Sequence, residues 1–303
     1  MSKKKRWLYI MGASFLLVIF GIGAYGFSLY HSVSKTVETM HHPVKHKSTK
    51  RMEEVELVKR DPFSVLLLGV DEREGDKGRS DTMIVLTVNP NQNSVKMLSI
   101  PRDTRTAIIG HGTTDKINHA YAFGGEAMSM ATVENLLDIP IDYFIKINML
   151  GFKDIIDSLD GITVHSAFAF SEGGHHFKEG ENHLNGNQAL AYVRMRKQDP
   201  QGDFGRQLRQ RQIIQGIVKK GVSISSITKI DDVLKVLGAN VKTNLQLDQM
   251  LDIQKNYRDA GKNIKQLHFT AQGQLINNIY YEIISDEELQ SVQSELKSHI
   301  EVQ

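Results

Sequence analysis

The sequence predicts an α/β domain: a central mixed, largely antiparallel sheet sandwiched between helical layers, preceded by one N-terminal transmembrane helix. Three observations predict it. First, three apolar runs, Ser64 to Val70, Thr82 to Val88 and Val95 to Ile100, follow one another with only a polar loop and a turn between them. Runs of this length, rich in Val, Leu and Ile and bounded by turn residues, read as strands of an antiparallel meander. Second, strand-like and helix-like stretches alternate downstream, which implies helices packed against a sheet. Third, Trp7 to Tyr30 holds no charged residue. About 20 apolar residues in a helix cross a hydrocarbon core of roughly 30 Å.

The N-terminus divides by composition. Residues 1–6 carry Lys3, Lys4, Lys5 and Arg6 directly before the apolar segment. Positive charge on that flank predicts a cytoplasmic N-terminus, a membrane anchor over 7–30 and the rest of the chain outside the cell. A cleaved signal peptide is the rival reading, and the small residues from Gly21 to Gly26 leave it open. Its apolar region would run only about 7–15 residues, so length favours the anchor. Residues 31–60 are rich in Lys, His and Glu and read as a stalk, a tether or an extended helix. Its His41, His42 and His46 read as solvated side chains rather than metal ligands. The domain spans 61–303, enough chain for a core without staples. No cysteine is present, which excludes disulfides, thiol catalysis and Cys-ligated metals.

Within the domain, Asn89 to Asn93 turns the second strand into the third. Lys116 to Phe123 leads to Gly124-Gly125, and Glu126 to Asp138 shows helical apolar spacing. Tyr143 to Ile147 reads as a strand, Gly151 to Leu159 as a helix and Ile162 to Val164 as a short strand. Glu172 to Gly180, with Gly173-Gly174 and His175-His176, reads as a loop. Asn185 reads as the N-cap of a helix over Gly186 to Val193. Asp203 reads as the cap of a longer helix from Phe204 to about Lys220. Helices over Ile227 to Leu237 and Leu247 to Tyr257 follow, with strands over Ile264 to Phe269 and Ile279 to Ile284. Ser285 to Glu288 forms a capping-box pattern for a last helix.

Charge excludes one class of partner. The chain carries 37 Lys and Arg against 35 Asp and Glu, a formal +2. Four of the cations precede the anchor, so the domain is slightly acidic in bulk. A nucleic-acid binder usually presents a basic face. Any anion must therefore meet a local cluster.

The pattern supplies two such clusters. In a meander, the end of strand one, the start of strand two and the end of strand three share one sheet edge. That edge collects Asp71, Arg79, Asp81 and Arg102. Two carboxylates beside two guanidiniums suit a phosphate bound with an oxygen-liganded cation. The second cluster is Arg194, Arg196, Arg206, Arg209 and Arg211 within eighteen positions, with Gln210 among them. Arg206, Arg209 and Gln210 fall near one face at the start of the long helix, where free N–H groups already attract anions. The dominance of Arg over Lys favours bidentate recognition of oxygen pairs.

These residues resemble a known family. Gly69-Val-Asp71, Arg79-Ser-Asp-Thr82, Ser99-Ile-Pro-Arg-Asp-Thr104, Lys116-Ile-Asn118 and Tyr192-Val-Arg-Met-Arg196 with Gly202-Asp-Phe-Gly-Arg206 resemble the LytR–CpsA–Psr family in order and spacing. Within it the chain looks most like the teichoic acid transferases; attachment of capsular polysaccharide and a non-catalytic polyprenyl-phosphate-binding scaffold are the alternatives. The resemblance implies an extracytoplasmic, Mg²⁺-dependent phosphotransferase. It would move a glycopolymer from a polyprenyl-pyrophosphate carrier to the muramic acid C6 hydroxyl of peptidoglycan, with pyrophosphatase action as a side reaction. It implies Asp71 and Asp81 at the metal, Arg79, Arg102, Arg194, Arg196 and Arg206 on the pyrophosphate, and Arg209 and Gln210 in support. By proximity on the predicted edge, Asp103 or one of the metal-site residues Asp71 and Asp81 takes the proton of the sugar hydroxyl, with Asp81 favoured beside Arg79. Arg211 departs from the family's usual Gln, as an extra phosphate contact or as surface charge.

Overall fold

The computed structural model describes residues 26–72, 78–196, 198–222 and 230–302. Most of the predicted anchor lies outside them. Among the described residues no helix is long and apolar enough to cross a membrane.

The predicted meander forms. β1 (Phe63–Val70) pairs antiparallel with β2 (Ser80–Asn89), and β2 pairs antiparallel with β3 (Ser94–Ile100). β6 (Tyr143–Asn148) runs parallel to β1, and β12 (Ile264–His268) runs parallel to β3. β11 (Val241–Thr243) closes the far side, antiparallel to β6. The six-stranded order is β11-β6-β1-β2-β3-β12. The sheet is thus mixed, with three antiparallel pairings out of five.

Alternation along β1 decides the layers. Leu66, Leu68 and Val70 are buried on one face against Met130, Val133 and Leu137 of α2 (His119–Leu137) and Leu296 of α8 (Asp286–Ile300). Truncating one such side chain to Ala costs about 2–5 kcal/mol. The other face carries Val65 and Leu67 towards α7 (Leu247–Asn256) and its flanking turns. Further along that face lie α3 (Met149–Ser158), α5 (Asp203–Val222) and α6 (Ile230–Asn240).

Several elements depart from expectation. The helix α2 starts at His119, earlier than the periodicity suggests, and is interrupted at the non-helical Gly124 and Gly125. The supposed loop after Glu172 is a hairpin of β8 (Phe170–Glu172) and β9 (His175–Phe177). Gly173 and Gly174 both take positive φ and make its tight turn. It leads to β10 (Gly180–Leu184), which pairs with β7 (Ile162–Ser166). β14 (Ile279–Ile284) forms where the sequence predicts a strand, but its hairpin partner β13 (Ala271–Ile276) and the hairpin of β4 (Arg105–Ile108) with β5 (Thr113–Lys116) carry no alternation strong enough to predict. Asn185 does cap α4 (Gly186–Arg194), in a capping box with Gln188. Ser285 caps α8, but Glu288 turns away to accept from the Thr270 amide at 2.9 Å.

Residues 31–60 open in a helix, one of the two forms expected of the stalk, and pack on the domain. A helix, α1, covers residues 26–40. Val37 and Met40 are buried, Met40 with Ile155, Leu159 and Val241. His46 meets the Glu134 carboxylate at 3.3 Å, and Arg51 reaches Asp142 at 3.1 Å. Burial pushes the Glu134 carboxyl up, but His46, Ser48 and two backbone amides hold it below the usual range. The polar composition of this segment thus encodes specific docking, which composition alone does not show.

Candidate active site at the sheet edge

The meander's register builds the site. Gly69 faces Thr82, yet Val70 faces Ser80, so Asp81 is the extra residue of a β-bulge. A bulge turns its residue out of the ladder and re-aims the side chain. The Asp71 and Asp81 amides both donate to the Arg79 carbonyl, at 3.3 and 3.1 Å. Both carboxylates therefore leave the same short stretch of edge. Arg79 itself is exposed.

β3 delivers the third part. Arg102 Nη1 donates to Asp81 Oδ1 at 2.9 Å, and its Nε lies 3.5 Å from Asp103 Oδ2. Asp103 Oδ1 accepts from Lys116 Nζ at 2.6 Å. Asp81, Arg102, Asp103 and Lys116 thus form one chain of alternating charge. The Asp81–Arg102 pair keeps 33% and 26% of its side-chain surface in solvent, accessible to a ligand.

The downstream arginines divide into two kinds. Arg194 ends α4, and Met195 after it is extended and fully buried. Extended backbone sends alternate side chains to opposite sides, so Arg194 and Arg196 emerge together and are both exposed. Arg206 is 8% exposed and Gln210 half-buried on α5.

Arg209 does different work. Its Nε donates to the Tyr192 carbonyl at 3.0 Å and its Nη2 to the Met195 carbonyl at 2.6 Å. Its Nη1 pairs with the buried Asp199 carboxylate. A Cβ at Gly205 would overlap that carboxylate, so only glycine lets Asp199 lie there. Arg209, expected in support of the pyrophosphate contacts, is a strut that fixes the segment carrying Arg194 and Arg196. Its driving force is burial, since a guanidinium removed from water takes every acceptor in reach.

Arg211 is neither surface charge nor an exposed phosphate contact. It is 1% exposed. Its Nη1 donates to Ser99 Oγ and its Nε to Gln266 Oε1, each at 2.9 Å. Burial pulls its pKa down from the usual arginine value. Ser99 lies three residues before Arg102, so Arg211 docks α5 against the end of β3. Arg206 is five residues earlier, about 7.5 Å along the helix. The helix that carries Arg206 therefore lies beside the strand end that carries Arg102.

One group escaped the sequence reading. The Tyr121 hydroxyl donates to Glu72 and accepts from Lys146 Nζ at 3.0 Å; Lys146 also pairs with Glu72 and Glu126, each at 3.1 Å. Burial disfavours the Lys146 ammonium, but Tyr121 and Glu126 hold its pKa above the usual lysine range. Burial and Glu72 together push the Tyr121 hydroxyl up. The available signal was Lys146 itself, a lone cation inside an apolar strand. Glu72 follows Asp71, so this network pins the chain beside the first aspartate.

The donor set fits Mg²⁺. Among the described residues no cluster of three or more His, Asp or Glu could hold a metal alone. Mg²⁺ seldom needs one: it takes one or two carboxylates and completes its shell with water and substrate phosphate. Asp71 and Asp81, half-buried on one edge, match that demand.

Comparison with known proteins gives the family. Residues 27–298 match the LytR_cpsA_psr family. The chain belongs to that family. It is 55% identical over 300 residues to the polyisoprenyl-teichoic acid–peptidoglycan teichoic acid transferase TagU of Bacillus subtilis, covering 99% of this chain and 98% of that protein. The TagU counterpart of Halalkalibacterium halodurans is 54% identical over 302 residues, covering 98% of this chain and 99% of that one. The crystal structure of B. subtilis TagU superposes with a TM-score of 0.66 at 54% identity, covering 80% of this chain and 98% of that one. A structure of TagT bound to LI-WTA superposes with a TM-score of 0.73 at 33% identity, covering 86% and 100%. The family fold has a central mixed sheet with helices, as the sequence predicts.

Proposed function

We propose that this LytR_cpsA_psr protein transfers wall teichoic acid from a polyprenyl-pyrophosphate carrier to the C6 hydroxyl of muramic acid in peptidoglycan. The observation that carries the reading is the shared anchoring of Asp71 and Asp81 on Arg79, with Arg102 bonded to Asp81, at the edge where α5 docks. The names of the relatives supply the polymer class. Residues 7–30 anchor the chain, and the domain works outside the cell, as the Lys3 to Arg6 flank supports.

The chemistry follows from charge. The muramic hydroxyl oxygen bonds to the polymer-side phosphorus, the bond to the bridging oxygen breaks, and polyprenyl phosphate leaves. Charge accumulates on the phosphoryl oxygens, so positioning and electrostatics do most of the work. Arg79, Arg102, Arg194, Arg196 and Arg206 hold the pyrophosphate, with Gln210 beside them. Asp71 and Asp81 would hold Mg²⁺, which when bound supplies positive charge to the pyrophosphate oxygens. The hydroxyl proton passes to Asp81, beside Arg79, whereas Asp103 already accepts from Lys116. Water in place of the sugar hydroxyl gives a weak pyrophosphatase side reaction. Leu67, Leu86, Ile145 and Ile147 on the α5 side of the sheet are only half-buried, which suits an isoprenoid tail.

The test uses the full chain in proteoliposomes with lipid-linked teichoic acid precursor and peptidoglycan. Polymer should become wall-linked with wild type and Mg²⁺, and not with Asp81→Asn or after chelation. Undiminished transfer by Asp81→Asn would overturn the reading.

A further inference from the structure

The β13–β14 hairpin ends in a small apolar tip exposed to solvent. No charged residue occurs from Ala271 to Tyr281. Leu275 is 71% exposed, and Ile279 and Tyr280 are each 46% exposed. Leu275 faces Tyr280 across the hairpin, and Ile276 faces Ile279. Asn277 and Asn278 both take positive φ, which closes a tight two-residue turn. A Cβ at Gly273 would strike the Tyr280 ring, so the ring lies flat across the strand beside Leu275. Leu275 and Tyr280 share one face of the ribbon and Ile276 and Ile279 the other, so the hairpin tip is apolar on both faces, with a phenol at its margin.

Its place in the fold is specific. β12 ends level with Ser99, at the catalytic edge, and the hairpin begins three residues later. The Glu282 amide donates to the Asp103 carbonyl at 2.9 Å, and Thr104 bridges to Glu282. The base of the hairpin is thus tied to the residues that follow Arg102. Beside that base the exposed Arg105 guanidinium lies 5.8 Å from the Tyr281 ring centroid.

The helix α1 shows which way the catalytic edge faces. Thr36 packs on Gly238, at the end of α6. Further on, the Thr39 carbonyl accepts from Lys242, and His41 pairs with Thr243. β11 runs away from the catalytic edge, since Val241 faces Ile147 and Thr243 faces Ile145. Residues 36–41 therefore descend from the edge, and the N-terminal half of α1, with exposed Phe27 and Tyr30, points back past it. The predicted membrane anchor joins the chain there. The catalytic edge and the hairpin both face the side from which the anchor enters.

We infer that the apolar tip of the β13–β14 hairpin seats in the outer surface of the bilayer beside the bound lipid carrier. This rests on the reading of residues 7–30 as a membrane anchor. The seating is shallow: a two-stranded ribbon has unpaired backbone groups along both edges, which hydrocarbon would leave unsatisfied. Leu275 and Ile279 reach the headgroup–acyl boundary, Tyr280 takes the interfacial position that tyrosine favours, and Arg105 meets anionic headgroups. The seat holds the site at the height of the pyrophosphate. A second copy of this chain on the same tip is the competing occupant.

The chain has no cysteine, so single-cysteine variants of the full-length protein can carry an environment-sensitive fluorophore without background. Labels at Ile279→Cys, Leu275→Cys, Gln92→Cys and Phe15→Cys are compared in phosphatidylglycerol nanodiscs holding one chain each. Gln92 is exposed in the β2–β3 turn at the opposite edge. The inference expects blue-shifted emission and loss of intensity to nitroxide-bearing lipid at 279 and 275, as at 15, with neither change at 92. Quenching at 15 combined with iodide accessibility at 279 and 275 overturns the hairpin seat and leaves the anchor standing. No lipid quenching at 15 overturns the anchor reading and this inference with it. A blue shift at 279 that nitroxide lipid does not quench, and that appears only with two chains per disc, assigns the tip to a second copy and overturns the proposal.

Discussion

Asp71 and Asp81 donate their backbone amides to one acceptor, the Arg79 carbonyl oxygen, at 3.3 and 3.1 Å. The two amide nitrogens therefore lie within two hydrogen-bond lengths of each other, although ten positions separate the residues. Gly78 makes this closure possible. Its φ is +68°, and a Cβ there would overlap the Asp71 carbonyl. Alanine in a left-handed conformation costs about 1–2 kcal/mol before any clash. Gly78→Ala should move the loop rather than unfold the domain. The expected result is a fall in kcat/KM for transfer of about tenfold or more, with a melting temperature near that of wild type. An unchanged kcat/KM would show that the two aspartates need no common anchor.

The Asp81–Arg102 pair lends itself to a double-mutant cycle. Both side chains are about a third exposed, so the pair contributes only about 0–1 kcal/mol to stability. Asp81→Asn and Arg102→Ala should each melt close to wild type and each lose most transfer activity. Residues that act as a unit lose function non-additively. The double variant should therefore be little worse than the poorer single one. Purely additive losses would mean that the two residues serve separate steps.

The sheet edge was legible in the sequence because a meander's topology follows from alternating runs and turns, independent of tertiary detail. The acidic and basic residues at its ends then had only one place to go. The bulge at Asp81 was not legible, since a one-residue register shift leaves no mark on composition. The arginines were legible as a set but not individually. Arg206, Arg209 and Arg211 share one helix and are all buried, and only the packing of Asp199, Ser99 and Gln266 shows what Arg209 and Arg211 hold. Residues 31–60 misled for the same reason: His46 and Arg51 look solvated until their partners, Glu134 and Asp142, arrive from far along the chain.

That sorting of the arginines predicts opposite phenotypes. Arg209→Ala leaves Asp199 buried and unpaired, and breaking such a pair costs about 3–5 kcal/mol. Chemical denaturation should show the loss, and adding Asp199→Ala should recover part of it. Arg206→Ala should abolish transfer, and Arg206→Lys should restore little, because an ammonium cannot grip two oxygens at once. Transfer near wild type by Arg206→Ala would remove Arg206 from the site.

His299 predicts a pH dependence that has nothing to do with catalysis. It is 1% exposed near the end of α8, with Nδ1 2.8 Å from Thr87 Oγ1 and Nε2 2.9 Å from Ser94 Oγ. Burial, with Lys96 nearby, pulls its pKa down to about 4; Glu295 and Glu301 oppose this more weakly. Both hydroxyls can donate or accept, so the ring is hydrogen-bonded in either state, and it is the loss of hydration in the interior that disfavours the charged one. The unfolded chain takes up this proton near pH 6.5, whereas the folded protein resists it until about pH 4. Between those values the unfolded state binds more protons, so stability falls as pH falls. The contribution is complete above about pH 6.5 and is lost progressively towards pH 4, about 2 kcal/mol of it by pH 5. Urea unfolding of the full chain at pH 7.5 and pH 5 measures this. His299→Gln, which keeps a donor and an acceptor but cannot titrate, should lower stability at pH 7.5 and lose about 2 kcal/mol less than wild type on acidification. An equal acid loss in both proteins would place the titrating group elsewhere.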